Sequence, residues 1–165
     1  MKRDDPLLRV RDLKVGYEVS GDLIVPVDGV SFDLNTREVV GLVGDAGSGK
    51  STTALALMGM ARPPGKILGG KVEFDGCDLL TLPDAEIRAL RGRDIGIIVQ
   101  NPRAALNPML RVGRQIGHAY RAHNDVTAAE ARMQAVEMLR FVGINDPERR
   151  VEAYAHELSG GMAQR

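Results

Sequence analysis

Eight consecutive residues, Gly44-Asp45-Ala46-Gly47-Ser48-Gly49-Lys50-Ser51, constrain this chain more than any others. They fit the pattern Gly-x4-Gly-Lys-Ser/Thr, whose backbone cradles phosphate groups. The flanks match that use. Val39-Val40-Gly41-Leu42-Val43 reads as a buried parallel strand, and Thr52-Thr53-Ala54-Leu55-Ala56-Leu57-Met58 as a helix. Gly44, Gly47 and Gly49 open backbone angles closed to other residues, so successive N–H groups can turn toward an anion. The helix that follows adds the positive end of its dipole. In this pattern Lys50 reaches the β- and γ-phosphates and the Ser51 hydroxyl ligates Mg²⁺. Asp45, Ala46, Ser48 and Thr52 complete the set of candidate nucleotide contacts.

Composition narrows the class. The chain has 165 residues, enough for one domain with a real core. Lys+Arg and Asp+Glu both number 22, so no global charge favours nucleic acid or an anionic membrane. Cys77 is the one cysteine, expected half-buried near a turn, and it can build neither a disulfide nor a thiolate zinc site within one chain. No apolar run approaches the roughly 18 residues of a membrane span, and residues 1–6 lack the character of a signal peptide.

Along the chain, Leu8, Val10, Leu13, Val15, Tyr17 and Val19 alternate as in a half-buried strand bent near Gly16. Ser20-Gly21-Asp22 is a turn, and a second strand follows over 24–34, with Val27, Val30, Phe32 and Leu34 inward. Asn35-Thr36-Arg37 turns into the expected strand 38–43. Pro63 and Pro64 stop the first helix, residues 69–74 form a short strand closed by Asp75-Gly76, and a helix spans 83–90. Ile95 to Val99 reads as a second buried strand ending at Gln100, and 101–108 as a loop. Beyond it the signal is helical. Val112, Ile116, Ala119 and Tyr120 share one face. Thr127 and Glu130 form a capping box for a helix whose inward positions are Ala131, Val136, Leu139 and Val142, stopped by Gly143. Pro147 opens a short helix through Tyr154, and Ser159-Gly160-Gly161 reads as one more helix start. The expected organisation is a β region with the glycine loop over 1–101, a helical subdomain over 102–157, and a last segment over 158–165.

Four stretches together resemble the nucleotide-binding domain of ABC transporters. They are the glycine loop, Tyr17 in the place of the adenine-stacking aromatic, Gln100 in the place of the Q-loop glutamine, and Leu158-Ser159-Gly160-Gly161 in the place of the signature motif. Gln100-Asn101-Pro102-Arg103-Ala104-Ala105-Leu106-Asn107-Pro108 is similar to the Gln-Asp-Pro-x-x-Ser-Leu-Asn-Pro of oligopeptide, dipeptide and nickel importers. Tyr154-Ala155-His156-Glu157-Leu158-Ser159-Gly160-Gly161-Met162 is similar to that branch's Tyr-Pro-His-x-Leu-Ser-Gly-Gly-Met.

The resemblance implies an α/β P-loop NTPase core, incomplete, with an antiparallel β region before it and an α-helical subdomain after. It implies ATP and Mg²⁺ as cofactors, with Gln100 near Mg²⁺ or the attacking water. Ser159, Gly160 and Gly161 would face ATP held by a second ABC ATPase subunit, so that bound ATP stabilises a closed dimer. Transmembrane permease subunits and, indirectly, a solute-binding protein are the further implied partners, and no nucleic acid. The implied place is the cytoplasmic face of the inner (plasma) membrane. A non-transport ABC ATPase is the alternative.

Three positions depart from the pattern. Arg37 stands where a turn glycine is usual, Asn101 replaces the usual Asp, and Ala155 the usual Pro. A larger departure is expected beyond Arg165, where the family carries its Walker B acid pair and switch His. The complete subunit is therefore expected to hydrolyse ATP, and these 165 residues alone to lack the group that polarises the water.

Overall fold

A computed structural model describes residues 5–61 and 63–165. The chain divides into two compact units that meet between Arg91 and Gly92.

The first unit is built on a four-stranded antiparallel sheet in the order β2-β1-β3-β4. Its strands are β1 (Leu8–Val19), β2 (Asp22–Leu34), β3 (Gly65–Phe74) and β4 (Cys77–Asp78). Strands β1 and β2 join through a two-residue hairpin closed by the Val19–Asp22 pair. Ser20 and Gly21 take φ of 55° and 93°, the left-handed pair that matches the twist of the strands.

Burial in β1 falls on Val10, Leu13 and Val15, a step of three and then of two. The break in the burial alternation is a bulge at Asp12, and the pairing with β2 shifts register again between Val15 and Tyr17, across Gly16. Asp12 has φ 47°, and its N–H donates to Ser31 Oγ at 2.8 Å. Gly70 of β3 fits over the bulge: a Cβ there would lie 2.6 Å from Leu13 Cα and 2.7 Å from two carbonyl oxygens. The bulge returns Leu13 and Val15 to the core face.

Helix α1 (Lys50–Leu57) packs against β1 and β2, and α2 (Asp84–Leu90) follows Pro83, which sits just outside its first turn. Arg91 then caps α1. Its guanidinium donates to the carbonyls of Met58 and Gly59, both at 2.8 Å, and so supplies cationic donors to a helix with no basic residue in its last turn.

Two expected strands do not form. Residues 38–43 have no regular structure, with Val39 96% and Val43 93% exposed. Residues 96–99 are likewise irregular, with Ile98 81% exposed. A parallel strand needs a neighbour to bond with and a layer over each face. Among the described residues the four paired strands are all antiparallel, and none of them pairs with either run. Val19 and Cys77 are also exposed, against expectation: Val19 ends its strand at the hairpin tip, and Cys77 opens the two-residue strand β4.

The second unit is helical: α3 (Pro102–Ala105), α4 (Val112–Arg121), α5 (Ala128–Phe141), α6 (Pro147–Arg150), a 3-10 turn (Ala155–Glu157) and α7 (Gly160–Gln164). Pro102 at the first position makes α3 a helical turn where a loop was expected. Its core joins Val112, Ala135, Val136, Leu139, Ile144 and Val151, with Leu158 beside them. Ala119 and Val142 face solvent instead, because Gly113 and Gly117 carry the contact face of α4 and the chain reverses at Gly143. Gly113 is required there, since a Cβ would lie 2.2 Å from Val151 Cγ2. The capping box at Thr127 is present in both directions: Glu130 N–H donates to Thr127 Oγ1 at 3.3 Å, and Thr127 N–H donates to Glu130 Oε2 at 2.8 Å.

Candidate functional site

The glycine loop hangs between the irregular run 38–43 and α1. Its entry is the turn Asn35–Glu38, closed by Glu38 N–H donating to the Asn35 carbonyl at 3.1 Å. Glu38 Oε2 returns the contact by accepting from Asn35 N–H at 2.7 Å and from Asn35 Nδ2 at 2.8 Å. Arg37 takes φ 64° in this turn, so the position does adopt the conformation that favours glycine.

Within the loop, Gly47 and Gly49 have φ of 82° and 89°. Gly49 is fixed twice over. It is the left-handed residue that starts α1, and a Cβ on it would lie 2.3 Å from the Pro26 carbonyl oxygen of β2. Any side chain there separates the helix start from the sheet. The Gly49 carbonyl accepts from Thr53 N–H at 2.7 Å and from Thr53 Oγ1 at 3.0 Å, and Thr53 is buried. Helix α1 thus begins against β2, with no acidic residue in its first turn.

Lys50 turns back over the loop. Its ammonium donates to the carbonyls of Gly44 at 2.7 Å and Asp45 at 2.6 Å, and to Ser48 Oγ at 3.2 Å. An ammonium has three protons, and the loop engages all three. Two carbonyls and a hydroxyl of the loop are thus folded around a positive charge. Ser51 is exposed on the first helical turn and Thr52 is half-buried. A Ser hydroxyl is the hard oxygen donor that Mg²⁺ takes from a protein when phosphate and water supply the rest, so Ser51 fits that ion.

Tyr17 lies in the same unit as the loop, half-buried in β1, paired with Ile24 of β2 and Gly65 of β3. Gln100 belongs to the second unit, exposed in a bend just before α3. Ser159, Gly160 and Gly161 also belong there. Ser159 caps α7, its Oγ accepting from Met162 N–H at 3.2 Å, and no atom lies within 4 Å of a Cβ placed on Gly160 or Gly161. Both glycines are exposed.

One contact joins the last two features. Arg103 Nη2 donates to the carbonyl of Leu158, and α3 packs against α7. The segment beginning at Gln100 is thereby tied to the backbone that precedes Ser159. The residues stand far apart in sequence, and no local pattern announces the pair.

Comparisons with known proteins agree with this geometry. The ABC transporter family profile matches residues 27–165. The chain belongs to the ABC transporter family.

It is 50% identical over 161 residues to the peptidoglycan transport ATP-binding protein YejF of Agrobacterium fabrum, covering 97% of this chain and 30% of that protein. It is 41% identical to the oligopeptide transport ATP-binding protein OppD of Bacillus subtilis, covering 100% of this chain and 46% of the relative. It is 42% identical to the dipeptide transport ATP-binding protein DppD of the same organism, with 98% and 48% covered. The chain thus spans half or less of the length of these relatives. A dimeric ATP-binding cassette solved in a post-hydrolysis state with ADP and Pi superposes with a TM-score of 0.81 at 23% identity, over 94% of this chain and 65% of that one. The fold is part of an ABC ATPase cassette, an antiparallel β sheet with helices.

Proposed function

We propose that this chain supplies the phosphate-binding half of an ATP site in the ATPase subunit of a peptide-type importer. The observation that carries the reading is the loop itself: Gly49 seated on Pro26, α1 starting at Lys50, and the Lys50 ammonium held at the loop's centre. Loop amides from Gly44 to Ser51 and the Thr52 amide would surround the β- and γ-phosphates, and Lys50 would exchange its carbonyl partners for phosphate oxygens. Ser51 would hold Mg²⁺, which when bound neutralises charge on the phosphates. Tyr17 would stack on adenine.

Gln100 would contact the metal or the attacking water. Ser159, Gly160 and Gly161 would present their amides to the γ-phosphate of ATP held by a second subunit. The partners of the complete subunit would be a second ATPase subunit, permease subunits and, through them, a solute-binding protein, with the complex at the cytoplasmic face of the membrane. Among the described residues no helix is long and apolar enough to cross a membrane, so attachment would come through those partners. The exposed run 39–43 and the partly exposed run 95–99 would be strands of a parallel sheet completed in the longer subunit. The balanced charge and the transport names of the relatives favour import over a nucleic-acid role.

Equilibrium binding of Mg²⁺-ATP to the chain, with turnover measured in parallel, tests this. Nucleotide binding without turnover is expected, and Lys50→Ala should weaken binding by about tenfold or more, the loss of a charge-assisted contact. Unchanged affinity in Lys50→Ala, or hydrolysis that Lys50→Ala abolishes, would refute it.

A further inference from the structure

A cleft of about 220 Å³ opens in the helical unit between α4, α5 and the Val151–Glu152 segment. Its floor is made of small residues, Gly113 and Gly117 from α4 and Ala128 and Ala131 from α5. Its rim is cationic. Arg111, Arg114, His118 and Arg121 follow one another at spacings of three, four and three, which places them on one face of α4. Arg132 faces them from α5.

One carboxylate stands among these groups, and it is already engaged. Glu152 Oε1 accepts from Arg132 Nε at 3.0 Å and Nη2 at 2.8 Å, and Glu152 Oε2 accepts from Arg111 Nη1. That bridge fixes two guanidinium groups at the mouth of the cleft. Arg114 and Arg121 have no ion pair among the described residues. Four arginines against one glutamate leave the cleft with a formal excess of three positive charges, although the whole chain is neutral.

We propose that this cleft binds a phosphate-bearing anion, between the guanidinium groups of Arg114 and Arg121. Guanidinium is suited to phosphate because its planar fork gives two parallel N–H···O bonds. The floor is tightly packed, Gly113 against Val151 and Gly117 against Ala131, so the polar groups that can meet an anion are those of the rim. The volume suits a phosphate or diphosphate group and not a folded segment of another protein. Phosphate of this kind has two sources, a soluble phosphate compound or the headgroup of an anionic phospholipid.

The experiment uses the 165-residue chain carrying Lys50→Ala, so that the glycine loop does not contribute. Inorganic pyrophosphate is titrated in one arm, and the protein is floated with phosphatidylglycerol or phosphatidylcholine vesicles in the other. Combining Arg114→Ala with Arg121→Ala should weaken binding about tenfold or more, since each charge-assisted contact is individually substantial. The lysine pair, Arg114→Lys with Arg121→Lys, keeps the charge but loses the fork and should fall between. Circular dichroism melts check that the variants fold, and the lysine pair carries the comparison if the alanine pair does not. Sensitivity to these substitutions in the pyrophosphate arm alone identifies a soluble ligand, and sensitivity to them in the phosphatidylglycerol arm identifies a headgroup. Either result supports the site. Absence of binding in both arms, or binding that the substitutions leave unchanged, overturns it. Neither result bears on ATP binding at the loop.

Discussion

The two units of this chain treat their apolar residues in opposite ways. The helical unit buries Val112, Ala135, Leu139, Val151 and Leu158 in one cluster, to which α4 and α5 each contribute a face. The first unit buries Val10, Leu13, Val15 and Val72 in its sheet but leaves the neighbouring Val39 and Val43 in solvent. All of these are apolar residues with strong structural preferences. They differ in how their backbones are satisfied. A helix closes its own hydrogen bonds and needs only a neighbour for its apolar face. A parallel strand must find partners along its edges before burial is possible. A helix can therefore bury its apolar face against its neighbours where an unpaired parallel strand cannot.

The contrast is broken most directly by paired truncations. Leu139→Ala removes a buried side chain from the helical core and should destabilise that unit by about 2–5 kcal/mol. Val43→Ala removes an exposed one and should change stability by no more than about 0.5 kcal/mol. Urea unfolding followed by circular dichroism gives both numbers. Equal effects would mean that the 39–43 run is packed in solution and that the two units are not different in kind.

Where the sequence was legible, the signal was local. The hairpin at Ser20-Gly21, the capping box of Thr127 and Glu130, the stop at Gly143 and the helix start at Ser159 each depend on a few adjacent residues, and each appears as expected. The glycine loop was legible for the same reason. What could not be read depends on distant partners. The bulge at Asp12 is stabilised by Ser31 from one neighbouring strand and accommodated by Gly70 from the other. The Arg103 contact to Leu158 and the Arg111–Glu152–Arg132 bridge join residues with no shared local pattern. The apolar runs 39–43 and 95–99 carry strand chemistry, but apolar composition does not reveal whether a partner strand is within reach.

A smaller effect tests the entry to the loop, in the first unit. Arg37 holds φ 64° with its side chain exposed, a conformation that costs a residue with a Cβ about 1–2 kcal/mol relative to glycine. Glycine loses more entropy on folding, which offsets part of that gain. Arg37→Gly should therefore stabilise the first unit by about 0.5–1 kcal/mol, seen as a higher melting temperature. The same substitution should leave hydrogen exchange in α4 and α5 unchanged. A destabilised variant would show that the Arg37 side chain makes a contact that compensates for its backbone.

The smallest effect concerns acid, and it should be confined to the helical unit. Arg132 first, and then Arg111, hold the Glu152 carboxyl below its ordinary value of 4.5 by donating to its oxygens. A carboxyl with a depressed folded value stabilises the protein above its unfolded value, and that contribution is lost as pH falls through the folded one. Between neutral pH and about pH 5 the bridge should thus be intact, and acidification below 4.5 should progressively remove it. Arg111 is anchored from the same segment, since its pKa is raised by Glu152 and, secondarily, by Tyr154. The groups are more than a third exposed, so solvent screens the bridge and its contribution is modest. Glu152→Gln removes the titrating group. Its stability should fall less steeply with acid than that of the parent chain, and the two profiles should converge at the acid end. Parallel profiles would mean that Glu152 titrates alike in the folded and unfolded states, and that Arg111 and Arg132 contribute nothing through it to holding the helical unit together.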